Sequence, residues 1–177
     1  MNDSVELLRR TLPAVLPRLR RFARSLLRSP QDADDLVQTT VERALQRADQ
    51  WRPPAADAPV ETAESVLRGW MFGIMKNAWI DERRSWGREQ QVLAPEEAAV
   101  NVGDRSSEAT QQRLSIEAAL QLLPAEQQLA VCLVLVEGIS YKEAAAIIEV
   151  PIGTLTSRLA RGRDALAAML SDAGATA

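Results

Sequence analysis

Hydroxyl and guanidinium side chains lie together on one predicted helix near the C-terminus. The stretch from Ile152 to Arg163 contains three arginines and no acidic residue. Arginine can bind guanine through two hydrogen bonds in the major groove, or pair with a phosphate. The pattern therefore favours DNA recognition over an ordinary solvated helix face. The candidate DNA contacts on this helix are Thr154, Thr156, Ser157, Arg158 and Arg161.

The residues that precede this helix predict a tight turn between two helices. Gly138 suits the left-handed position that ends a helix. Ser140 and Glu143 form a capping box that begins the next helix. Pro151 and Gly153 then interrupt the helical pattern before it resumes. Together these signals predict a helix-turn-helix whose second helix carries the candidate DNA contacts.

A second group of basic residues lies on a predicted helix in the first half of the chain. Tryptophans are interleaved with them, a combination that suits single-stranded nucleic acid because exposed bases can stack on aromatic rings. Core packing explains Trp70, which shares an apolar stripe, whereas Trp51 lies in a proline-rich loop and favours a functional role. The candidate residues of this group are Trp51, Lys76, Asn77, Arg83 and Arg84.

The composition excludes several classes of chemistry. The chain has no histidine and a single cysteine, Cys132. Histidine-based triads, histidine–metal sites, an intramolecular disulfide and a thiolate metal cluster are therefore excluded. The sequence also lacks a glycine-rich phosphate loop. We expect a protein that is not an enzyme and that has no catalytic residues, metal site or cofactor.

The charge and hydropathy of the chain point to a soluble protein that acts within an assembly. No apolar run is long enough to cross a bilayer, and the N-terminus lacks the features of a signal peptide, so we expect a cytoplasmic location and no membrane contact. The net charge of −3 is unusual for a free-standing DNA-binding domain. We infer that the isolated chain binds DNA weakly and that a larger machine supplies the remaining affinity.

The chain divides into two helical units around an acidic stretch. Aromatic residues make up only 4% of the chain while Ala and Leu abound, which favours helices over sheets. Pro13 and Pro17 should disturb the first helix, so a continuous helix is expected from about Leu16. Ser29 is placed to cap the second helix. The predicted units are residues 1–87 and 112–177, with a linker at 88–111.

Three motifs, in this order along the chain, resemble the bacterial extracytoplasmic-function (ECF) sigma factors, group 4 of the sigma-70 family. Residues 32–40 resemble the helix that docks on the polymerase β′ clamp, and residues 70–84 resemble the promoter-melting helix. Residues 123–128 and the helix-turn-helix match the sigma-4 pattern. The resemblance implies an all-α fold of two small domains, a sigma-2 helical bundle and a sigma-4 helix-turn-helix, joined by an acidic flexible linker.

The same resemblance implies a role for each group of residues. The chain would bind core RNA polymerase at the β′ clamp and the β flap, direct transcription initiation at specific promoters, and be held silent by an anti-sigma factor. The loop around Trp51 and the helix bearing Asn77 would bind the opened minus-ten strand, and the helix from Thr154 would read the minus-thirty-five element. The clamp contacts would be Asp34, Asp35, Gln38, Thr39 and Glu42.

Two alternatives to a sigma factor remain open on the residues alone. A helix-turn-helix regulator that binds its operator as a dimer would use Arg158 and Arg161 but would leave the region from Asp34 to Arg84 without a role. A helical interaction module that sequesters a partner would not need either arginine.

Overall fold

The structure, a computed structural model, describes residues 3–55, 58–90 and 116–175, and these ranges form helices without any β-strand. Three helices make an N-terminal bundle, and the helices after residue 115 make a C-terminal bundle. The N-terminal bundle comprises α1 (Asp3–Leu26), α2 (Pro30–Gln46) and α3 (Val60–Gln90). The C-terminal bundle comprises α4 (116–122), α5 (Ala125–Val131, continued by a π-helical turn Cys132–Val136), α6 (Tyr141–Ile148) and α7 (Ile152–Ala175).

Helix α1 begins much earlier than the sequence predicts. It is continuous from Asp3 and runs through Pro13 and Pro17, so the expected start near Leu16 is wrong. Both prolines lie on the exposed side of the helix, where the carbonyls that lose an N–H partner face water. The opposite side buries Leu8 and Leu19 completely, and this packing outweighs the cost of two prolines inside the helix.

The N-terminal bundle packs α1 and α2 against α3. Phe22 of α1 meets Phe72 of α3 with ring centroids 4.6 Å apart. Ser29 caps α2 as predicted, since its Oγ accepts a hydrogen bond from the backbone N–H of Asp32 at 3.2 Å. The apolar stripe of α3 that contains Trp70 is buried except for Trp70 itself, which is half-buried. Its fully or almost fully buried members are Leu67, Met71, Ile74 and Ala78.

The helix-turn-helix forms where the sequence predicts it. Gly138 has a φ of +67° and ends the π-helical turn. Ser140 caps α6 through a hydrogen bond from the backbone N–H of Glu143 to its Oγ at 3.3 Å. Glu149 ends α6 with a φ of 60°, in the left-handed region that glycine usually occupies. A short turn through Pro151 then leads into α7.

The crossing of α5 and α7 depends on a glycine. A Cβ at Gly162 would lie 2.7 Å from Cγ2 of Val131 and 3.4 Å from the backbone oxygen of Gln127. Such a separation is a clash, so α7 can approach α5 this closely only with glycine at this position. The close approach sets how far the polar side of α7 projects from the bundle.

The two bundles pack against each other around one continuous apolar core. Helix α6 lies on α3, and the π-helical turn lies on α1. Cys132 is fully buried at this junction, with its Sγ 3.5 Å from the carbonyl oxygen of Ser25. Of the predicted linker, positions 88–90 continue α3, and the remainder lies outside the described residues.

Candidate nucleic-acid and partner interfaces

The second helix of the helix-turn-helix presents a polar face to solvent. Thr156, Ser157 and Arg161 are exposed, while Leu155 and Leu159 are buried beneath them. The two hydroxyls donate to backbone carbonyls one turn earlier, Thr156 Oγ1 to Ile152 at 2.8 Å and Ser157 Oγ to Thr154 at 3.1 Å. Their lone pairs remain available, so the face can accept as well as donate hydrogen bonds.

Arg158 is held differently from Arg161. It is half-buried, and its guanidinium forms an ion pair with Glu126 of α5 at 2.8 Å. Thr154 is also half-buried. The predicted group on α7 therefore lies on one helix, but only part of it is free in this conformation.

Helix α2 carries an acidic and amide face on the opposite bundle. Asp34, Asp35, Gln38 and Glu42 are exposed, and Thr39 is half-buried. Gln38 donates a hydrogen bond from Nε2 to Oε1 of Glu42 at 2.9 Å. The apolar residues of the same helix face α1 and α3. This face is open for a partner, and its charge suits a basic one.

The acids of α2 affect a neighbouring carboxyl on α3. Partial burial raises the pKa of Glu82, and the negative charges of Asp32 and Asp35 raise it further. The three carboxyl groups therefore concentrate negative potential beside the α2 face. A cationic partner would relieve this repulsion.

Lys76 of α3 is covered by the C-terminal bundle. Its side chain is 5% exposed, and its Nζ lies 2.8 Å from Oε2 of Glu149, whose own side chain is 76% exposed. The hydrogen bond from Lys76 lowers the pKa of the Glu149 carboxyl. Asn77, the next predicted residue, is exposed. Both line an open cleft of about 530 Å³ between α3 and α6.

The remaining basic residues of α3 lie further along the helix. Arg83 is exposed and stacks over the ring of Trp79 at 4.9 Å, and it donates a hydrogen bond to Oε1 of Gln128 at 3.4 Å. Arg84 is exposed beside it. Trp79 itself is fully buried, so it supports Arg83 and offers no face to a base.

Trp51 lies in the interior and not at the surface. It is 2% exposed and stacks against Trp70, with ring centroids 6.5 Å apart and planes at 25°. Trp70 in turn lines the cleft that contains Lys76 and Asn77. The structure therefore brings Lys76 and Asn77 together, connects Trp51 to them through Trp70, and places Arg83 and Arg84 nearer the end of α3.

Ion pairs between the bundles are the feature that sequence reasoning missed. Arg21 of α1 binds the carboxylate of Glu137 through Nε and Nη2, at 2.7 and 2.8 Å. Arg68 of α3 lies 3.7 Å from Glu143. The partners are 116 and 75 positions apart in the chain, so no local periodicity could have indicated them.

The described ranges contain neither a cluster of side chains suited to a metal ion nor a helix long and apolar enough to cross a membrane.

Two family models match the chain, one on each bundle. A model described as the Sigma2 domain of PhyR matches residues 12–76, and a model described as Sigma-70, region 4 matches residues 113–166. The first match contains the exposed face of α2 and the residues of α3 as far as Lys76. The second contains α6 and α7 as far as Leu166.

Similar proteins match over most of the chain. The ECF RNA polymerase sigma factor EcfG of Rhodopseudomonas palustris is 36% identical over 168 residues, which cover 95% of this chain and 87% of the relative. SigM of Mycobacterium tuberculosis is 33% identical over 152 residues, which cover 86% of this chain and 71% of the relative.

Solved structures show the same fold. The sigma factor RpoE of Bartonella quintana, crystallised with the anti-sigma factor NepR, has a TM-score of 0.72 and 33% identity and covers 93% of this chain and 96% of its own. CnrH, in complex with the cytosolic domain of CnrY, has a TM-score of 0.57 over 94% of this chain and 86% of its own, at 22% identity.

Proposed function

Because the chain belongs to the ECF sigma factors of bacterial RNA polymerase, we propose that its two exposed polar faces divide the work of promoter recognition between them. The protein binds core RNA polymerase and directs initiation at specific promoters. In this division the face of α2 binds the polymerase, and the face of α7 reads the minus-thirty-five element. The dimeric regulator is not favoured, because it gives the matched N-terminal bundle no role.

The observation that carries this assignment is the exposure of both faces on separate bundles of one chain. On α2 the group is acidic, which suits a basic partner, and on α7 it contains hydroxyls and two arginines, of which Arg161 is exposed and Arg158 is paired with Glu126. A protein that contacts RNA polymerase with one bundle and DNA with the other can therefore select promoters without high DNA affinity of its own.

The minus-ten contacts are proposed on α3. Lys76 would pair with a phosphate, Asn77 would hydrogen-bond a base edge, and Arg83 and Arg84 would follow the backbone of the opened strand. Trp51 would act through Trp70, which supports the cleft. Lys76 is covered here, so it becomes available only when the C-terminal bundle moves away, whereas Asn77, Arg83 and Arg84 are already exposed.

Partners and location follow from the family. Solved structures of two similar proteins contain anti-sigma factors or a cytosolic partner domain, and we infer that this chain is held silent by a partner of that kind. Sigma factors as a family are not enzymes, and the chemistry would remain with the polymerase. The chain would work in the cytoplasm, without a cofactor.

Run-off transcription with purified core polymerase over a random promoter library tests the function. The wild-type chain should select promoters with a shared minus-thirty-five sequence. Arg158→Ala with Arg161→Ala should reduce transcription from them by about 10- to 100-fold, since a good arginine–base contact contributes roughly 1–3 kcal/mol of discrimination. Binding to core polymerase should be unchanged.

Arg163→Ala is the matched control for this variant. Arg163 is also an exposed arginine of α7, but it lies about 160° around the helix axis from Arg161, given 3.6 residues per turn. Transcription by Arg163→Ala should stay close to wild type. Equal losses in both variants, or a wild-type chain that selects no promoter, would contradict the assignment.

A further inference from the structure

The interface between the bundles has opposite charge on its two sides. In three ion pairs the cation belongs to the N-terminal bundle and the carboxylate to the C-terminal bundle, so the second bundle presents acids where the first presents bases. The pairs are Arg21–Glu137 at 2.7 Å, Lys76–Glu149 at 2.8 Å and Arg68–Glu143 at 3.7 Å.

Glu149 pairs with the ammonium group of Lys76, which the closed bundles would otherwise leave buried without a partner. A lysine as enclosed as Lys76 requires a partner for its ammonium group, because removing an unpaired charge from water is costly. The Glu149 carboxylate supplies it while remaining largely in solvent itself. It binds Lys76 where the phosphate of a promoter strand would bind.

The buried carboxylate of Glu137 likewise depends on Arg21 for its charge partner. Its side chain is 0% exposed, and its carboxylate accepts both hydrogen bonds of Arg21. Arg18 donates a further bond to its backbone carbonyl at 3.4 Å. Without Arg21, the carboxylate would be buried and unpaired, and separation of the bundles would return it to water.

A chain with its bundles in contact cannot occupy a promoter. Lys76 is 5% exposed beneath the C-terminal bundle, so a strand phosphate cannot reach its ammonium group while the bundles are in contact. Under the minus-ten assignment proposed above, promoter binding therefore requires the interface to open.

We propose that these three ion pairs form a latch that keeps the free chain closed and inactive, and that promoter phosphate displaces Glu149 from Lys76 when the chain opens. The proposal rests on the function assigned above. The exposed face of α2 lies outside the latch, so polymerase can dock on the closed chain before the C-terminal bundle is released.

The latch is tested on the free full-length chain, without polymerase or DNA. Small-angle X-ray scattering should give a radius of gyration of about 16 Å for the closed wild type, the value for a compact chain of this length. Arg21→Gln and Glu149→Gln should both increase it. Glu126→Gln is the matched control, because it removes one negative charge from the same bundle but breaks a pair within that bundle.

Alkylation of Cys132 gives a second measure of opening. The thiol is covered by α1 when the bundles are in contact, and separation removes the Ser25 carbonyl from its sulfur. The alkylation rate should rise roughly 2- to 5-fold in Glu149→Gln, as expected for a partly exposed pair. It should rise at least about 10-fold in Arg21→Gln, where a buried carboxylate loses its partner. Glu126→Gln should react at the wild-type rate.

Circular dichroism separates opening from unfolding. If Arg21→Gln loses helix content, Glu149→Gln still tests the latch, because Glu149 lies mostly in solvent and its substitution leaves the core intact. A wild-type radius of gyration well above 16 Å would overturn the proposal. So would alkylation rates in Arg21→Gln and Glu149→Gln equal to that of Glu126→Gln.

Run-off transcription distinguishes a failed latch from a failed function. Arg21→Gln should reach half-maximal transcription at a concentration at least about 10-fold lower than wild type, because less free energy is spent on opening. If wild type transcribes and this concentration does not change, the latch is wrong and the sigma-factor assignment stands. If no variant transcribes, the assignment itself fails.

Discussion

At the scale of single residues, substitutions on the α2 face should weaken polymerase binding without changing the stability of the fold. Asp35 and Gln38 are exposed and take no part in the core, so Asp35→Ala with Gln38→Ala should leave the thermal midpoint nearly unchanged. The affinity for core polymerase, measured by fluorescence anisotropy, should fall at least about 10-fold. Glu61→Ala, which removes an exposed acid of the same bundle from α3, should bind like wild type. Equal affinity of all three proteins would move the docking site elsewhere.

The raised pKa of Glu82 predicts how the stability of the chain depends on pH. Its pKa is raised in the folded chain, so the folded state binds a proton more readily than the unfolded state, and stability falls as pH rises above the ordinary carboxyl value of 4.5. Glu82→Gln removes the cost of partly burying a carboxylate and, with it, the repulsion with Asp32 and Asp35. It should therefore unfold at a higher temperature than wild type at pH 7.

The advantage of Glu82→Gln should shrink as pH falls and should be absent below the ordinary carboxyl value, where Glu82 is protonated in both states. Glu61→Gln provides the comparison. Glu61 lies in the first turn of α3, where the helix dipole favours a negative charge, so its removal should not stabilise the chain at any pH. A gain for Glu82→Gln that did not vary with pH would contradict this account.

The sequence predicted which helices carry the candidate binding residues better than it predicted which of those side chains are exposed. The acids of α2 and the hydroxyls of α7 lie on helix faces that periodicity identifies, and the structure exposes most of them. Trp51 and Lys76 differ because their burial depends on residues outside their own loop or helix. Trp51 is covered by packing on Trp70, and Lys76 by Glu149, 73 positions later.

At the scale of helices, two glycines should respond oppositely to the same substitution. Gly162→Ala places a methyl group against the stiff side chain of Val131, and overpacking of this kind costs about 1–3 kcal/mol. Gly73→Ala meets nothing within 4 Å and should stabilise α3 by about 0.5–1 kcal/mol. Urea unfolding monitored by circular dichroism measures both. A loss of stability in Gly73→Ala would contradict the open space beside this position.

Helix ends were predictable where a single residue determines them. Ser29, Ser140 and Gly138 act through their own side chain or their own φ, and all three perform the predicted role. The continuity of α1 was not predictable, because it depends on which side of the helix Pro13 and Pro17 face. The π-helical turn after α5 was equally hidden, since its sequence reads as an ordinary apolar helix.

At the scale of the whole molecule, the closed form explains how a chain of net charge −3 can still act on DNA. Three basic side chains, Arg21, Arg68 and Lys76, are paired with acids of the other bundle, so the closed form withholds these cations from DNA. Opening separates the two sets of charges and exposes the basic side of α3. Affinity for DNA is then a property of one conformation and not of the composition.

Glu149 carries a consequence for how this regulation could change in evolution. A side chain in the left-handed conformation costs about 1–2 kcal/mol that glycine would not incur. Replacement by glycine would thus relax the backbone and delete a carboxylate of the interface at once. Such a mutation would leave Lys76 without its carboxylate while the bundles are in contact, so the backbone gain would favour the open chain over the closed one.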